Sequence, residues 1–164
     1  MKKTISQKIK TRARRTLKRE VSKLSKNYVI DTSSVINKVL FPLLKKGLKG
    51  KLIIPHAVMA ELESMANKGR PEGFTGLEEI AKFHNQKQLK VFFEGARPNE
   101  MQIRFAKSGE IDALIRQTAI KNKATIITSD LVQAKSSQAY GLEVIFIKVK
   151  SKPEKKKKFL FWRR

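Results

Sequence analysis

The 164-residue chain has no cysteine, which excludes a disulfide framework, a thiolate zinc site and a cysteine nucleophile. No apolar run approaches the ~20 residues of a membrane-spanning helix, and "MKKTISQKIKTRARRTLKRE" lacks the apolar centre of a secretory signal. A cytoplasmic location is expected. Histidine is scarce: His56 and His84 are the only two, and neither has metal-ligand spacing, so both read as structural. Acidic residues are few, 14 Asp and Glu against 37 Lys and Arg, for a net charge of +23.

The excess charge is at the ends. Residues 1–26 hold 11 basic side chains and 1 acidic one, and residues 148–164 hold 9 and 1. At this length one core is expected, here residues 27–149, between a basic amphipathic arm (1–26) and a basic aromatic tail (150–164). Ile5, Ile9, Leu17, Val21 and Leu24 recur at helical spacing in the arm. In the tail "KKKKFLFWRR" sets aromatic rings among cations, a composition suited to base stacking, to a membrane surface or to a solubilising role. Such ends attract polyanions, with nucleic acid or an anionic membrane surface the usual candidates.

Between them, apolar runs alternate with amphipathic stretches. "YVI", "KLIIP", "LKVFFE", "ATIIT" and "EVIFIKV" read as strands, and "HAVMAELESMANKG", "LEEIAKFHNQ", "EIDALIRQTAIKN" and the stretch through Ala139 as helices. Ser33 or Ser34 is available to cap the helix after the first strand, Ser108 the one carrying Glu110 and Asp112. The glycines and proline of "GRPEGFTG" read as a loop. This alternation argues for an α/β domain with a central parallel sheet covered on both faces.

In such sheets ligands bind beyond the carboxyl ends of the strands. Asp31 closes "YVID" and Asp130 closes "TIITSD", so both belong to that edge. Glu61 follows the second strand by less than two helical turns, and Asp112 lies in the first turns of the helix before the Asp130 strand. Taken singly, each acid has an ordinary explanation: Asp31 and Asp130 as helix caps, Glu61 as a surface residue, Glu110 as a first-turn partner of the helix dipole. Together they would repel one another unless a cation neutralised them, and an all-oxygen set suits Mg²⁺ or Mn²⁺. Such a site supports hydrolysis of a phosphodiester by an activated water.

The segments "VIDTSSVI", "IIPHAVMAELE", "GEIDALIR" and "IITSD", in that order, resemble the PIN-domain nucleases. "ANKGRPEGFTGLEEI" and "SGEIDALIR" further resemble the amino-terminal PIN domain of archaeal PIN and KH domain ATPases. The resemblance implies a three-layer α/β/α PIN-like fold and a metal-dependent ribonuclease. It makes Asp31, Glu61, Asp112 and Asp130 the acidic quartet, with Ser33 as the hydroxyl supporting the first Asp. Ser129, beside Asp130, is a further candidate supporting residue. The resemblance also suggests pairing as a homodimer. The chain lacks the G-x-x-x-x-G-K-[ST] loop of the ATPase relatives, so it reads as a stand-alone protein or a fragment.

Single-stranded RNA is the expected substrate. Arg12, Arg14 and Arg15 in the arm, Arg70 in "KGRPEG" and Arg116 one turn after Asp112 are candidate nucleic-acid contacts, although Arg116 could instead pair with Asp112 across i, i+4. The alternative is a nucleic-acid- or partner-binding module of the same fold without turnover. A phosphotransfer receiver or a haloacid-type phosphatase is disfavoured, because "DTSS" supplies only one acid where those chemistries need two.

Overall fold

The computed structural model describes residues 27–105 and 109–149. The arm with Arg12, Arg14 and Arg15, the aromatic tail and Ser108 lie outside them. Five strands, β1 (Asn27–Ile30), β2 (Gly50–Pro55), β3 (Leu89–Glu94), β4 (Thr125–Thr128) and β5 (Val144–Phe146), form one parallel sheet in the order β3-β2-β1-β4-β5. "YVI" in β1, "LIIP" in β2 and all of β4 are buried, as a parallel sheet with helices on both faces requires. The edge strands β3 and β5 keep exposed positions.

The connections among the described residues are α1 (Thr32–Ile36), α2 (Leu40–Lys45), α3 (His56–Asn67), α4 (Pro71–Phe83), α5 (Glu100–Phe105), α6 (Glu110–Lys121) and α7 (Leu131–Ala139). The architecture is the expected α/β fold. From β1 the chain winds outward through β2 to β3, then crosses back to β4 on the other side of β1. That reversal leaves a crevice at the carboxyl ends of the two central strands, because neighbouring connections leave in opposite directions. Asp31 immediately follows β1, and Asp130 follows β4 by two residues.

The reading of "GRPEGFTG" as a loop is overturned: α4 begins at Pro71 and runs through both later glycines. Proline fits the first helical turn, where its missing N–H has no partner to lose. Gly73 and Gly76 are contact positions rather than breakers. A Cβ on Gly73 would stand 2.3 Å from the Ala66 nitrogen, and one on Gly76 would stand 2.4 Å from Leu62 Cδ2. The absent side chains thus let α4 lie close against α3, the helix that carries Glu61.

The expected serine caps are replaced as well. Asp31 occupies the N-cap position of α1 but makes no side-chain cap bond, because its carboxylate is engaged elsewhere. Gly109 occupies the N-cap position of α6 at φ +121°, a conformation that L side chains rarely adopt. The turn brings the chain into α6 with Glu110 exposed and Asp112 partly buried.

Candidate active site

Asp31 is buried at 4% exposure, and hydroxyls surround it. Ser33 Oγ donates to Asp31 Oδ2 at 2.5 Å, and Thr128 Oγ1 donates to the same oxygen at 2.8 Å. Both hydroxyls also reach the β4 exit: Thr128 Oγ1 accepts from the Asp130 amide at 3.0 Å and Ser33 Oγ from the Ser129 amide at 3.1 Å. Ser129 Oγ in turn accepts from Asn37 at 2.9 Å. Backbone bonding completes the seam, with the Asp31 amide donating to the Ile127 carbonyl at 3.0 Å and Ser34 Oγ to the same carbonyl at 2.9 Å.

The other three acids arrive from three helices. Glu61, on the second turn of α3, accepts from Thr32 Oγ1 at 2.6 Å through Oε2. Asp112 comes from the first turn of α6. Asp130 is exposed and caps α7, its Oδ1 accepting from the amides of Val132 at 2.6 Å and Gln133 at 3.1 Å. The capping explanation is therefore correct for Asp130 and fails for Asp31.

Electrostatics ties the group together. Burial raises the pKa of Asp31, opposed by the Ser33 and Thr128 hydrogen bonds, and the Asp130 charge raises it further. Burial likewise raises Glu61, with Asp31 and Asp112 adding to the rise and Arg70 opposing it. Asp112 is raised by burial, then by Asp31 and Asp130, against the Arg116 charge. Each of these three acids is thus raised in part by the charge of at least one other member of the quartet. Among the described residues none of the four forms an ion pair with Lys or Arg.

The donor set suits a hard divalent cation: carboxylate oxygens only, three of the groups resisting ionisation, and no paired side-chain cation. Among the described residues no three Asp, Glu or His side chains already form a metal cage. Glu61 is tied to Thr32, and Asp130 to the start of α7. The four acids thus influence one another electrostatically without forming a closed ligand shell.

Arg116 does not pair with Asp112. Its Nη1 donates to Gln133 Oε1 at 2.9 Å, and its guanidinium lies 5.2 Å from the centre of the Tyr140 ring. Gln133 is fully buried and also reaches the Asp112 carbonyl at 3.4 Å. Arg70 is exposed and stands 3.6 Å from Glu72. Sequence reasoning missed Thr32, Thr128 and Gln133. Only the two threonines carried a signal, as hydroxyls next to strand-end acids.

A family model described as PIN domain matches residues 28–137. The chain belongs to the PIN-domain family. Proteins of this family are generally metal-dependent nucleases. The chain is 39% identical over 133 residues to an uncharacterized KH and PIN-domain containing protein of Methanocaldococcus jannaschii, covering 78% of this chain and 21% of that protein. It therefore spans about a fifth of the length of that relative. Among solved structures it is similar to a domain of a functionally unknown protein from Methanocaldococcus jannaschii, at 37% identity and a TM-score of 0.72, covering 78% of this chain and 95% of the other.

Proposed function

We propose that this protein is an endoribonuclease that cleaves single-stranded RNA with Mg²⁺ or Mn²⁺ held by Asp31, Glu61, Asp112 and Asp130. One observation carries the reading: at the switch point of the sheet, three acids of the quartet are driven toward neutrality by burial and by one another. Divalent ions, when bound, lower the pKa of a water for in-line attack and stabilise charge on the leaving oxygen.

The chain's own residues supply the positioning. Ser33 and Thr128 fix one oxygen of Asp31, Thr32 fixes one of Glu61, and the α7 amides fix one of Asp130. Arg116, steadied by Gln133 and Tyr140, offers a guanidinium to a phosphate beside Asp112. Arg70 approaches from the Glu61 side, and the basic ends add strand affinity that salt weakens. The KH element named in the relative favours RNA, since KH modules clamp single-stranded nucleotides. A cytoplasmic location and pairing as a homodimer belong to the same proposal. No helix of the described residues is long and apolar enough to cross a membrane.

The test incubates wild type and Asp112→Asn with labelled single-stranded RNA, and with DNA of the same sequence, in Mg²⁺, Mn²⁺ or chelator. Wild type cleaves RNA only with metal, and Asp112→Asn loses at least about 100-fold, more than an outer-shell change typically costs. Equal cleavage by both proteins, or cleavage indifferent to chelator, defeats the assignment. Binding without turnover would support the non-nuclease module instead.

A further inference from the structure

The histidines, uninformative in the sequence, meet on one ring. His56 opens α3 and His84 follows α4, and both lie against Phe93 of β3, with ring centroids 6.5 and 5.9 Å from it and interplanar angles of 27° and 24°. Phe93 stays 38% exposed in this group, on a strand that among the described residues pairs only with β2. A phenylalanine serving only the core would be buried, as Phe83 is at 0%.

The position matters as much as the exposure. Phe93 pairs in register with Ile54, the residue before the Pro55–His56 junction, so the aromatic group lies toward the same carboxyl edge of the sheet as the acids. β3 is two strands from β1, about 10 Å at the usual strand spacing. Glu61 follows His56 on the same helix by five residues, about 7.5 Å of helical rise. The charges nearest in the chain are Lys82, two residues before His84 and paired with Glu79, and Glu94, beside Phe93 and neutralised by Lys51; the net charge of +23 gives the protein as a whole its attraction for a polyanion.

From this group we infer a base-stacking site: His56, Phe93 and His84 receive an unpaired base of a single-stranded nucleic acid whose phosphates cross the acidic edge a few nucleotides away. The inference rests on the reading of the protein as a nucleic-acid enzyme and adds where the strand runs. Exposed aromatic faces beside cations bind bases with little regard to sequence, because every base has a π-face. A protein partner would favour a larger and less charged apolar surface.

The experiment measures binding in EDTA, so that cleavage plays no part. Fluorescence anisotropy compares an RNA oligonucleotide with an abasic oligonucleotide of equal length and charge. Phe93→Ala and Phe93→Leu weaken RNA binding by roughly 5- to 150-fold, the span for loss of one stacked base, and leave abasic binding unchanged. In a Trp162→Phe background, Phe93→Trp reports stacking through quenching by RNA and none by the abasic strand.

Equal losses on both strands, no loss on either, or absent quenching would overturn the inference. So would a shift in oligomeric state on Phe93→Ala, which would assign the ring to a second copy of the chain. Because metal is absent throughout, a chain that stacks RNA but never cleaves it defeats the nuclease reading alone, while one that cleaves without base-dependent binding through Phe93 defeats this inference alone.

Discussion

Two carboxylates at the carboxyl edge of the same sheet have opposite fates. Glu94, which closes β3, accepts from Lys51 Nζ at 2.7 Å and from Asn122 Nδ2 at 3.1 Å, and these contacts lower its pKa. Asp31, which follows β1, has hydroxyl donors but no paired cation among the described residues, and burial raises its pKa. Sheet position alone therefore does not set the state of an acid. The difference is whether the fold itself neutralises the charge: at Glu94 Lys51 does so, and at Asp31 hydrogen bonds alone oppose the cost of burial, which is the basis for proposing Asp31 as a metal ligand.

The largest test of this contrast is Asp112→Asn. Beyond its effect on cleavage, it removes a repulsive charge, so the cation-free protein melts a few degrees higher at neutral pH. The gain in Tm given by Mn²⁺ in the wild type largely disappears. Calorimetry with EDTA and with Mn²⁺ checks both, and a lower Tm for the cation-free variant would contradict the electrostatic account.

Thr128→Val comes next. It deletes the hydroxyl that serves both Asp31 and the Asp130 amide, with an expected cost of about 1 kcal/mol in stability and 10- to 100-fold in metal affinity. Titration of Mn²⁺ by calorimetry measures the second effect. Unchanged affinity would mean that Asp31 is held without Thr128.

The pH dependence follows from the shift directions. Asp31, Glu61 and Asp112 bind protons more tightly folded than unfolded, so their stabilising contribution is complete below the ordinary carboxylate range. It is lost as pH climbs through their raised values. The cation-free protein therefore loses stability from about pH 4 upward on their account, and the Tm gain from Mn²⁺ grows over the same range. Glu94 has the opposite sign: its contribution is present above the ordinary carboxylate range and lost as acidification passes through its lowered value. A metal-induced Tm gain that is flat from pH 4 to 8 would break the comparison.

The smallest effect is at Glu94→Gln. A surface ion pair of this kind contributes less than about 1 kcal/mol, so Tm falls by no more than roughly 2–4 °C. Metal affinity stays at the wild-type value. A large loss of metal binding there would erase the division between the two acids.

The layers of the fold were legible in the sequence because fully buried strands leave unbroken runs such as "LIIP" and "TIIT". Asp31 and Asp130 were legible as strand-end acids for the same reason. The start of α4 was not, since glycine in a sequence looks the same whether it breaks a helix or lets another helix approach; only the α3 backbone against Gly73 decides. Nor were the partners of the quartet. Thr32 meets Glu61 and Thr128 meets Asp31 across long chain separations, and Gln133 joins α7 to α6. Such pairings arise from topology, which periodicity does not record. The same holds for Phe93, whose two histidine neighbours come from different connections.

The Thr128 hydroxyl has a mechanical consequence. One oxygen atom spans β1 and β4 and is bonded to parts of both strand-end acids, so a displacement of either strand is transmitted to Asp31 and the Asp130 backbone together. A slip of β4 by one residue would turn Thr128 to the opposite face and undo both attachments at once. The Asp31 amide, donated to Ile127 across the same seam, would then exchange with deuterium only when the two strands part. Its exchange rate is a gauge of how often the candidate active site comes apart.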